Sequence, residues 1–131
     1  MANSERRTRR SRNTSEALLL QLEACRTDSN LEAIVLSDED GLCLAAAGDQ
    51  DTCDEIAANL PFVGSKAPEF EGVLFAPSKA WKVGVKRFEV LGSELYLCVA
   101  GGRGDARDRE LCRSLGGVSR ILGSDPMFAA A

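Results

Sequence analysis

The sequence predicts one domain of the α/β (α+β) class, with its elements in the order α-β-β-α-β-β-β-α. Two observations predict this class. Apolar residues recur at helical spacing in three segments and follow strand patterns in five shorter ones. Two residue pairs that favour turns, Asp40-Gly41 and Gly92-Ser93, each join two of the strand segments as a hairpin.

The first element is a helix in TSEALLLQLEACRTDSN, residues 14–30. Leu18, Leu22 and Cys25 fall at positions i, i+4 and i+7, which places them on one face of a helix. The Thr-Ser pair that opens the segment supplies hydroxyl groups that can cap the first turn.

The first hairpin consists of the strands LEAIVLSD and LCLAAAG. Its Asp-Gly turn is expected to be of type I′, because both central residues of that turn need positive φ. The apolar residues fall on both faces, with Ile34 and Leu36 on one face and Val35, Leu42 and Leu44 on the other. A sheet covered by helices on both faces explains that pattern.

Carboxylates cluster around two glycines in SDEDGLCLAAAGDQD, residues 37–51. A calcium loop of the EF-hand type needs acidic residues at positions 1, 3 and 5, Gly at 6 and Glu at 12. Aligning Gly41 with position 6 puts Asp38 and Asp40 at positions 3 and 5, but Leu36 at position 1 and Ala47 at position 12. The cluster is therefore interpreted as residues that stabilise a turn and the start of a helix, and no metal site is expected.

The middle helix begins in DTCDEIAANL. Asp51 is the expected N-cap, and Ile56, Leu60 and Val63 form an apolar stripe. Pro61 lacks a backbone donor, so it is expected to kink or end the helix just before it.

The second half predicts three strands, EFEGVLFA, WKVGVKRFEVL and ELYLCVAG, and a final helix. Trp81, Val83 and Val85 alternate with polar residues and glycine, as in a strand with one buried face. The final helix has apolar residues at relative positions 0, 4, 7 and 11, namely Leu111, Leu115, Val118 and Leu122.

The segment AGGRGDARD, residues 100–108, joins the last strand to the last helix, where glycine loops can bind anions. The Walker pattern is absent, and G-x-G-x-x-G fails because Arg107 stands where its last glycine is needed. The segment is interpreted as a turn capped by Asp105.

The charges divide the chain into a basic start and an acidic body. Residues 1–13 contain Arg6, Arg7, Arg9, Arg10 and Arg12, whereas residues 14–131 contain 11 basic and 19 acidic side chains. The expected organisation is a disordered Arg-rich arm over 1–13, one domain over 14–123 and a loose tail over 124–131. The acidic body argues against nucleic acid as a partner of the domain. No secretory signal or membrane span is visible, so a cytoplasmic location is expected.

Catalytic and cofactor chemistry are not expected. The chain has no histidine, which excludes Ser-His and Cys-His pairs, and G-x-S-x-G is absent. The five cysteines include no C-x-x-C pair and lie mostly in apolar segments, which favours buried, reduced thiols over a zinc site or a disulfide framework. The protein is therefore expected to be non-enzymatic and to use no cofactor.

The element order and its motifs resemble the Roadblock/LC7 family. In AIVLSDEDGLCLAAAGDQDTCDEIAANL the matching pattern is an apolar strand, a D-x-D-G turn, G-L-x-L-A-x-x-G and an acid-started helix that contains alanine. WKVGVKRFEVLGSELYLCVAGG and the helix that follows match the second half, so the resemblance covers about residues 15–122. Within the family, the short chain resembles the bacterial polarity proteins of the MglB and MglC type, and MglC more closely.

This resemblance implies a profilin-like fold, a five-stranded antiparallel sheet with the first and last helices on one face and the middle helix on the other. It also implies a homodimer in which the middle helices pack together and the third strands pair. In this chain the middle helix is Thr52 to about Gly64, and the third strand is about Phe70 to Phe75. The implied contact residues are Ile56, Leu60, Val63, Phe70, Val73 and Phe75.

The resemblance further implies a non-enzymatic platform or adaptor in a small-GTPase-linked complex for cell polarity or gliding motility. The implied partners are a second copy, another Roadblock protein of the MglB type and polarity scaffold proteins, with recruitment to the cell poles. Pro61 interrupts a helix that is often longer in the family, so direct contact with a small GTPase is left open. Two alternatives also stay open, a small-molecule sensor with a profilin-like or PAS-like sheet and a thiol-based redox protein.

Overall fold

The elements follow the expected order. The structure is a computed structural model that describes residues 12–77 and 79–125, so most of the expected arm and tail (residues 1–11 and 126–131) lies outside the described residues. The elements are α1 (Arg12–Asp28), β1 (Ala33–Asp38), β2 (Cys43–Ala47), α2 (Gln50–Gly64), β3 (Glu69–Phe75), β4 (Ala80–Val90), β5 (Ser93–Ala100) and α3 (Gly104–Gly123). None of the helices in the described ranges is long and apolar enough to cross a membrane.

The five strands form one antiparallel sheet in the order β2-β1-β5-β4-β3. Helices α1 and α3 pack on one face of this sheet, and α2 packs on the other. The arrangement confirms the predicted fold class and the placement of the helices that the family resemblance implied. It also leaves β2 and β3 as the two edge strands.

Each face of the sheet has its own apolar core. The core beneath α1 and α3 includes Leu18, Leu22, Ile34, Leu97 and Val118. The core beneath α2 includes Val35, Ile56, Leu60, Val83 and Cys98. Successive strand residues point to opposite faces, so the continuous apolar run of β1 supplies both cores.

Strand β2 departs from regular alternation. Its pairing with β1 shifts register between Leu36 and Ser37, which makes Leu44 the extra residue of a β-bulge. The Leu44 side chain is consequently buried in the core beneath α1 and α3. The prediction that Leu44 shares a face with Val35 is therefore wrong.

The turn between β1 and β2 is organised by Asp38 rather than by Asp40. The carboxylate of Asp38, a fully buried residue, accepts hydrogen bonds from the backbone N–H groups of Asp40 (2.8 Å) and Leu42 (3.0 Å). Within this turn only Gly41 has a positive φ, of 83°, so the prediction of a type I′ turn is wrong. The backbone N–H of Gly41 donates to the carbonyl of Asp38 (3.1 Å), which is the bond of a type I turn followed by a left-handed glycine, and this loop needs positive φ only at the glycine.

We expect Asp38→Ala to lower the free energy of unfolding by about 1.5–3 kcal/mol, because it removes a buried acceptor of two hydrogen bonds. The matched control is Asp40→Ala in the same turn, where the side chain is exposed and the expected change is below about 0.5 kcal/mol. Urea unfolding at pH 7 measures both variants. Equal losses would show that the buried carboxylate does not organise the turn.

Helix α2 begins two residues earlier than expected and ends at the expected residue, Gly64. Its N-cap is Asp49, whose carboxylate accepts the backbone N–H of Thr52 (3.0 Å), and Asp51 lies in the first turn. The helix continues through Pro61 to Gly64. A proline removes its own N–H donor but leaves the later bonds of the helix intact. Of the two outcomes expected at Pro61, a kink or an end of the helix, an end is therefore excluded.

A buried carboxylate links α1 to α3. Glu110 on α3 is 2% exposed and accepts a hydrogen bond from the hydroxyl group of Ser29, just beyond α1. It also pairs with Arg113 (3.2 Å), which itself pairs with Asp28 of α1 (2.7 Å). Burial raises the pKa of Glu110, but the Ser29 hydrogen bond and the charge of Arg113 outweigh it and hold the pKa below its usual value.

We expect Glu110→Gln to lower the free energy of unfolding by about 1.5–3 kcal/mol at neutral pH, because the ionised form is the one that is bonded. A carboxyl group whose pKa is lower in the folded than in the unfolded state stabilises the fold above its unfolded pKa. That contribution disappears as the pH falls through the folded pKa. Urea unfolding at neutral and acidic pH should therefore show a difference from wild type that shrinks on acidification.

The exposed Glu89→Gln on β4 is the control for this charge removal and should change little at either pH. A loss in Glu110→Gln that stays the same at all pH values would contradict the role of the ionised carboxylate.

Candidate protein interaction site

Two of the predicted contact residues on α2 belong to the core of the subunit. Ile56 and Leu60 are both 0% exposed and pack against the sheet. Side chains buried this completely within one chain cannot touch a second chain unless the core opens. The accessible part of α2 must therefore be sought on its outer side.

The outer side of α2 presents an aromatic ring near the end of the helix. Phe62 is 67% exposed, and the Lys66 ammonium lies 4.5 Å from the centre of its ring. Val63 is half-buried and packs at the margin of the core beneath α2. Aromatic side chains are enriched in protein–protein interfaces, so the exposed ring of Phe62, with the half-buried Val63 beside it, has the character of an interface residue.

Strand β3 presents apolar side chains on both of its faces. Phe70 and Leu74 pack on the α2 side. Val73 and Phe75 alternate with them and therefore face the other side of the sheet, where they are 41% and 74% exposed. Helix α3 packs over β4 and β5 on that side, and β3 is left open to solvent there.

The accessible residues of α2 and β3 border one groove of about 320 Å³. It is lined by Asn59, Phe62, Val63, Lys66, Ala67, Phe70, Val73, Leu74 and Phe75. Four of the six residues predicted as contacts thus come together, and Ile56 and Leu60 do not join them.

The groove runs beside an unpaired strand edge. β3 pairs with β4 on one side, and no described strand pairs with its other side. The outer backbone N–H and C=O groups of β3 are therefore positioned to accept a further strand. An apolar groove next to an open edge can accept a strand and a helix from another polypeptide at the same time.

The sequence interpretation placed Phe62 within the middle helix but did not include it among the predicted contacts. In the structure Asn59 and Phe62 lie one helical turn apart on α2, and Lys66 lies just beyond the end of the helix; all three line the groove. The signal was available in the sequence as an aromatic residue at i+3 from Asn59.

The glycine-rich segment before α3 is held by an arginine. Arg107 is 8% exposed and donates hydrogen bonds to the carbonyl groups of Gly101 (3.0 Å) and Gly102 (2.8 Å). The N-cap position of α3 is Arg103, whose side chain makes no capping bond, and Asp105 lies in the first turn. The prediction of a cap by Asp105 is therefore wrong. The segment is a loop that the hydrogen bonds of Arg107 hold in place.

A second groove, of about 250 Å³, lies between α3 and the strands β3 and β4. Charged side chains surround it, namely Glu69, Glu71, Lys86 and Asp108. A small-molecule site typically buries most of its ligand in an apolar pocket with a few convergent polar groups. The side chains of the two apolar cores pack on one another, and both grooves lie outside these cores, at the surface of the domain.

The buried cysteines are poorly suited to thiol chemistry. Burial, with a smaller contribution from nearby Cys43, raises the pKa of Cys53 to about 12. Burial also raises the pKa of Cys98 well above its usual value. A thiol reacts as its thiolate, so these two residues stay protonated at neutral pH. Within the described residues no group of His, Cys, Asp and Glu side chains could hold a metal ion.

Solved structures with the same fold include three structures of MglB. MglB of Myxococcus xanthus aligns with a TM-score of 0.60 and 12% identity, over 87% of this chain and 92% of that one. A structure described as MglB with a tetrameric arrangement aligns with a TM-score of 0.60 and 15% identity, over 82% and 89% of the two chains. The gliding protein MglB of Thermus thermophilus aligns with a TM-score of 0.56 and 15% identity, over 82% and 90%.

These alignments extend over nearly the whole of each chain, so they concern the complete domain. No family model and no curated protein matches the sequence. At identities of 12–15%, the likeness shows a common fold, the Roadblock-like fold of MglB.

Proposed function

We propose that this protein is a non-enzymatic, homodimeric interaction platform of the Roadblock type, which acts in a small-GTPase-linked complex for cell polarity or motility. The observation that carries the proposal is the apolar groove between the end of α2 and the open edge of β3. Phe62 and Phe75 on its border are 67% and 74% exposed in the single chain. Isolated subunits would leave this surface and the strand edge in water.

A two-fold partner covers both features at once. Two β3 strands can pair edge to edge and extend the sheet, which satisfies their outer backbone groups. The same operation brings the ends of the two α2 helices together, because the last turn of α2 lies beside β3. Two-fold homodimers are the commonest closed assemblies of soluble proteins. The contact is centred on Phe62, Val63 and Phe70, with the buried Ile56 and Leu60 supporting it from within.

The fold and the motifs of the sequence support the setting of the platform. MglB of Myxococcus xanthus and the gliding protein MglB of Thermus thermophilus share the fold, and the D-x-D-G turn and its neighbours resemble the same family. We place the protein in a complex with another Roadblock protein of the MglB type or with polarity scaffold proteins, in the cytoplasm and recruited to the cell poles. The residues that line the groove include no serine, cysteine, histidine or carboxylate, which suits an adaptor.

Two measurements test the proposal. Sedimentation equilibrium of the full chain at micromolar concentration should give the mass of a dimer. Affinity purification of the tagged protein from its own organism should recover a small GTPase or its regulators with it. A monomer at every concentration would overturn the platform, and a dimer that recovers only unrelated proteins would overturn its place in polarity or motility.

A further inference from the structure

The middle of the sequence contains no basic residue over a long stretch. Between Arg26 and Lys66 the chain has nine carboxylates and neither lysine nor arginine. The carboxylates are Asp28, Glu32, Asp38, Glu39, Asp40, Asp49, Asp51, Asp54 and Glu55. This stretch folds into β1, β2 and α2, so every charged side chain that these elements carry is negative.

The exposed carboxylates lie at both ends of the edge strand β2. Glu39 and Asp40 are in the turn before β2, and Asp49 and Asp51 are at the start of α2 just after it. The strand itself, CLAAA, has no charged residue. Edge strands are usually protected by lysine, proline or a covering segment, and β2 contains neither lysine nor proline.

Helix α1 begins near the turn that precedes β2. Its last residues lie at the opposite end of the sheet, where the backbone N–H of Glu32 donates to Ala100 and Ser29 bonds Glu110. The helix packs over β2 and β1 and extends about 25 Å from that end. Its first residue, Arg12, is thereby brought to the end of the sheet that holds Glu39 and Asp40.

We propose that the Arg-rich segment preceding α1, residues 1–11 of the same chain, docks on this acidic surface and covers the edge of β2. Arg6, Arg7, Arg9 and Arg10 supply the cations, against the single carboxylate of Glu5. Eleven residues can extend about 36 Å, whereas the five residues of β2 span about 17 Å. The segment can therefore reach from the turn to the start of α2.

The segment that docks on this surface is expected to come from the same chain, because residues 1–11 are joined directly to the start of α1. A short linker raises the effective concentration of a docking segment to the millimolar range, which favours it over a free basic peptide. Exposed ion pairs are individually weak and sensitive to salt. The contact is consequently a reversible cover rather than a part of the folded core.

Tryptic cleavage of the full chain after Arg6 to Arg10 tests this docking, with fragments measured by mass spectrometry at low ionic strength. In the variant Glu39→Gln, Asp40→Asn, Asp51→Asn we expect cleavage about tenfold faster than in wild type, because the docked segment is protected only while it is bound. At about 0.5 M salt the wild type should reach the rate of the variant. The matched control is Glu69→Gln, Glu71→Gln on β3, which should cleave like wild type.

Circular dichroism establishes first that all variants are folded. Equal cleavage rates in wild type and the acidic-surface variant at low salt would overturn the proposal. Protection that is lost on dilution to nanomolar concentration would also overturn it, because the segment would then dock on a second copy. Faster cleavage in the β3 control variant would show that the net negative charge of the domain, and not this surface, holds the segment.

Discussion

Ile56→Asp is expected to unfold the isolated subunit. The side chain of Ile56 is 0% exposed between α2 and the sheet, and a carboxylate there would be buried without a partner. An unpaired buried charge costs about 3–5 kcal/mol, and the loss of the aliphatic side chain adds about 2–5 kcal/mol. The sum is comparable to the whole stability of a small domain, about 5–15 kcal/mol. Circular dichroism against temperature measures the effect.

The matched control for Ile56→Asp is Leu20→Asp on α1, because Leu20 is also an aliphatic residue within a helix but is 70% exposed. Its melting temperature should stay within a few degrees of wild type. A folded Ile56→Asp monomer would show that Ile56 is reached by a partner and would return it to the contact that the family resemblance implied.

Phe62→Glu is expected to dissociate the proposed dimer while leaving the subunit folded. The ring of Phe62 is 67% exposed in the single chain, so a glutamate at this position is solvated in the monomer and buried only in the dimer. A charge buried without a partner at an interface costs about 3–5 kcal/mol, which weakens association by roughly a hundred to several thousand fold. Sedimentation equilibrium across the micromolar range should show the variant as a monomer.

Two further variants make this result specific. Phe75→Glu lies on the other face of β3, beside the same strand edge, and should weaken the dimer less because the ring faces away from α2. Leu20→Glu on α1 is the control for an exposed apolar residue outside the groove and should sediment like wild type. If Phe62→Glu stays dimeric, the α2–β3 groove is not the contact.

The fold could be predicted because its main signals are local. The apolar run of β1, the alternation in β4 and the stripe of α3 each report the element type and the buried face directly. The expected element order agrees with the observed one for the same reason, whereas the assignment of each helix to a face of the sheet came from the family resemblance. Signals of this kind depend only on side-chain spacing along one segment.

The details that escaped prediction depend on contacts between segments. The bulge at Leu44 is set by the register of β2 against β1, which no spacing within β2 reveals. The role of Asp38 in its turn depends on bonds that form only in the folded chain. Phe62 was not predicted as a contact, because its exposure depends on how α2 packs on the sheet, which spacing along the helix does not give.

The uneven distribution of charge along β3 has a consequence for the direction in which two copies can pair. Glu69 and Glu71 occupy one half of its outer face, and Val73 and Phe75 occupy the other half. In the proposed dimer both copies use the outer edge of β3. A parallel pair of these edges would turn one sheet over and place α2 of one copy on the face that carries Glu69 and Glu71 of the other. Antiparallel pairing about Gly72, the midpoint of the strand, keeps the two α2 helices on one face and places each glutamate opposite an apolar residue. The antiparallel arrangement is therefore the one that fits the proposed contact, and it closes about a two-fold axis.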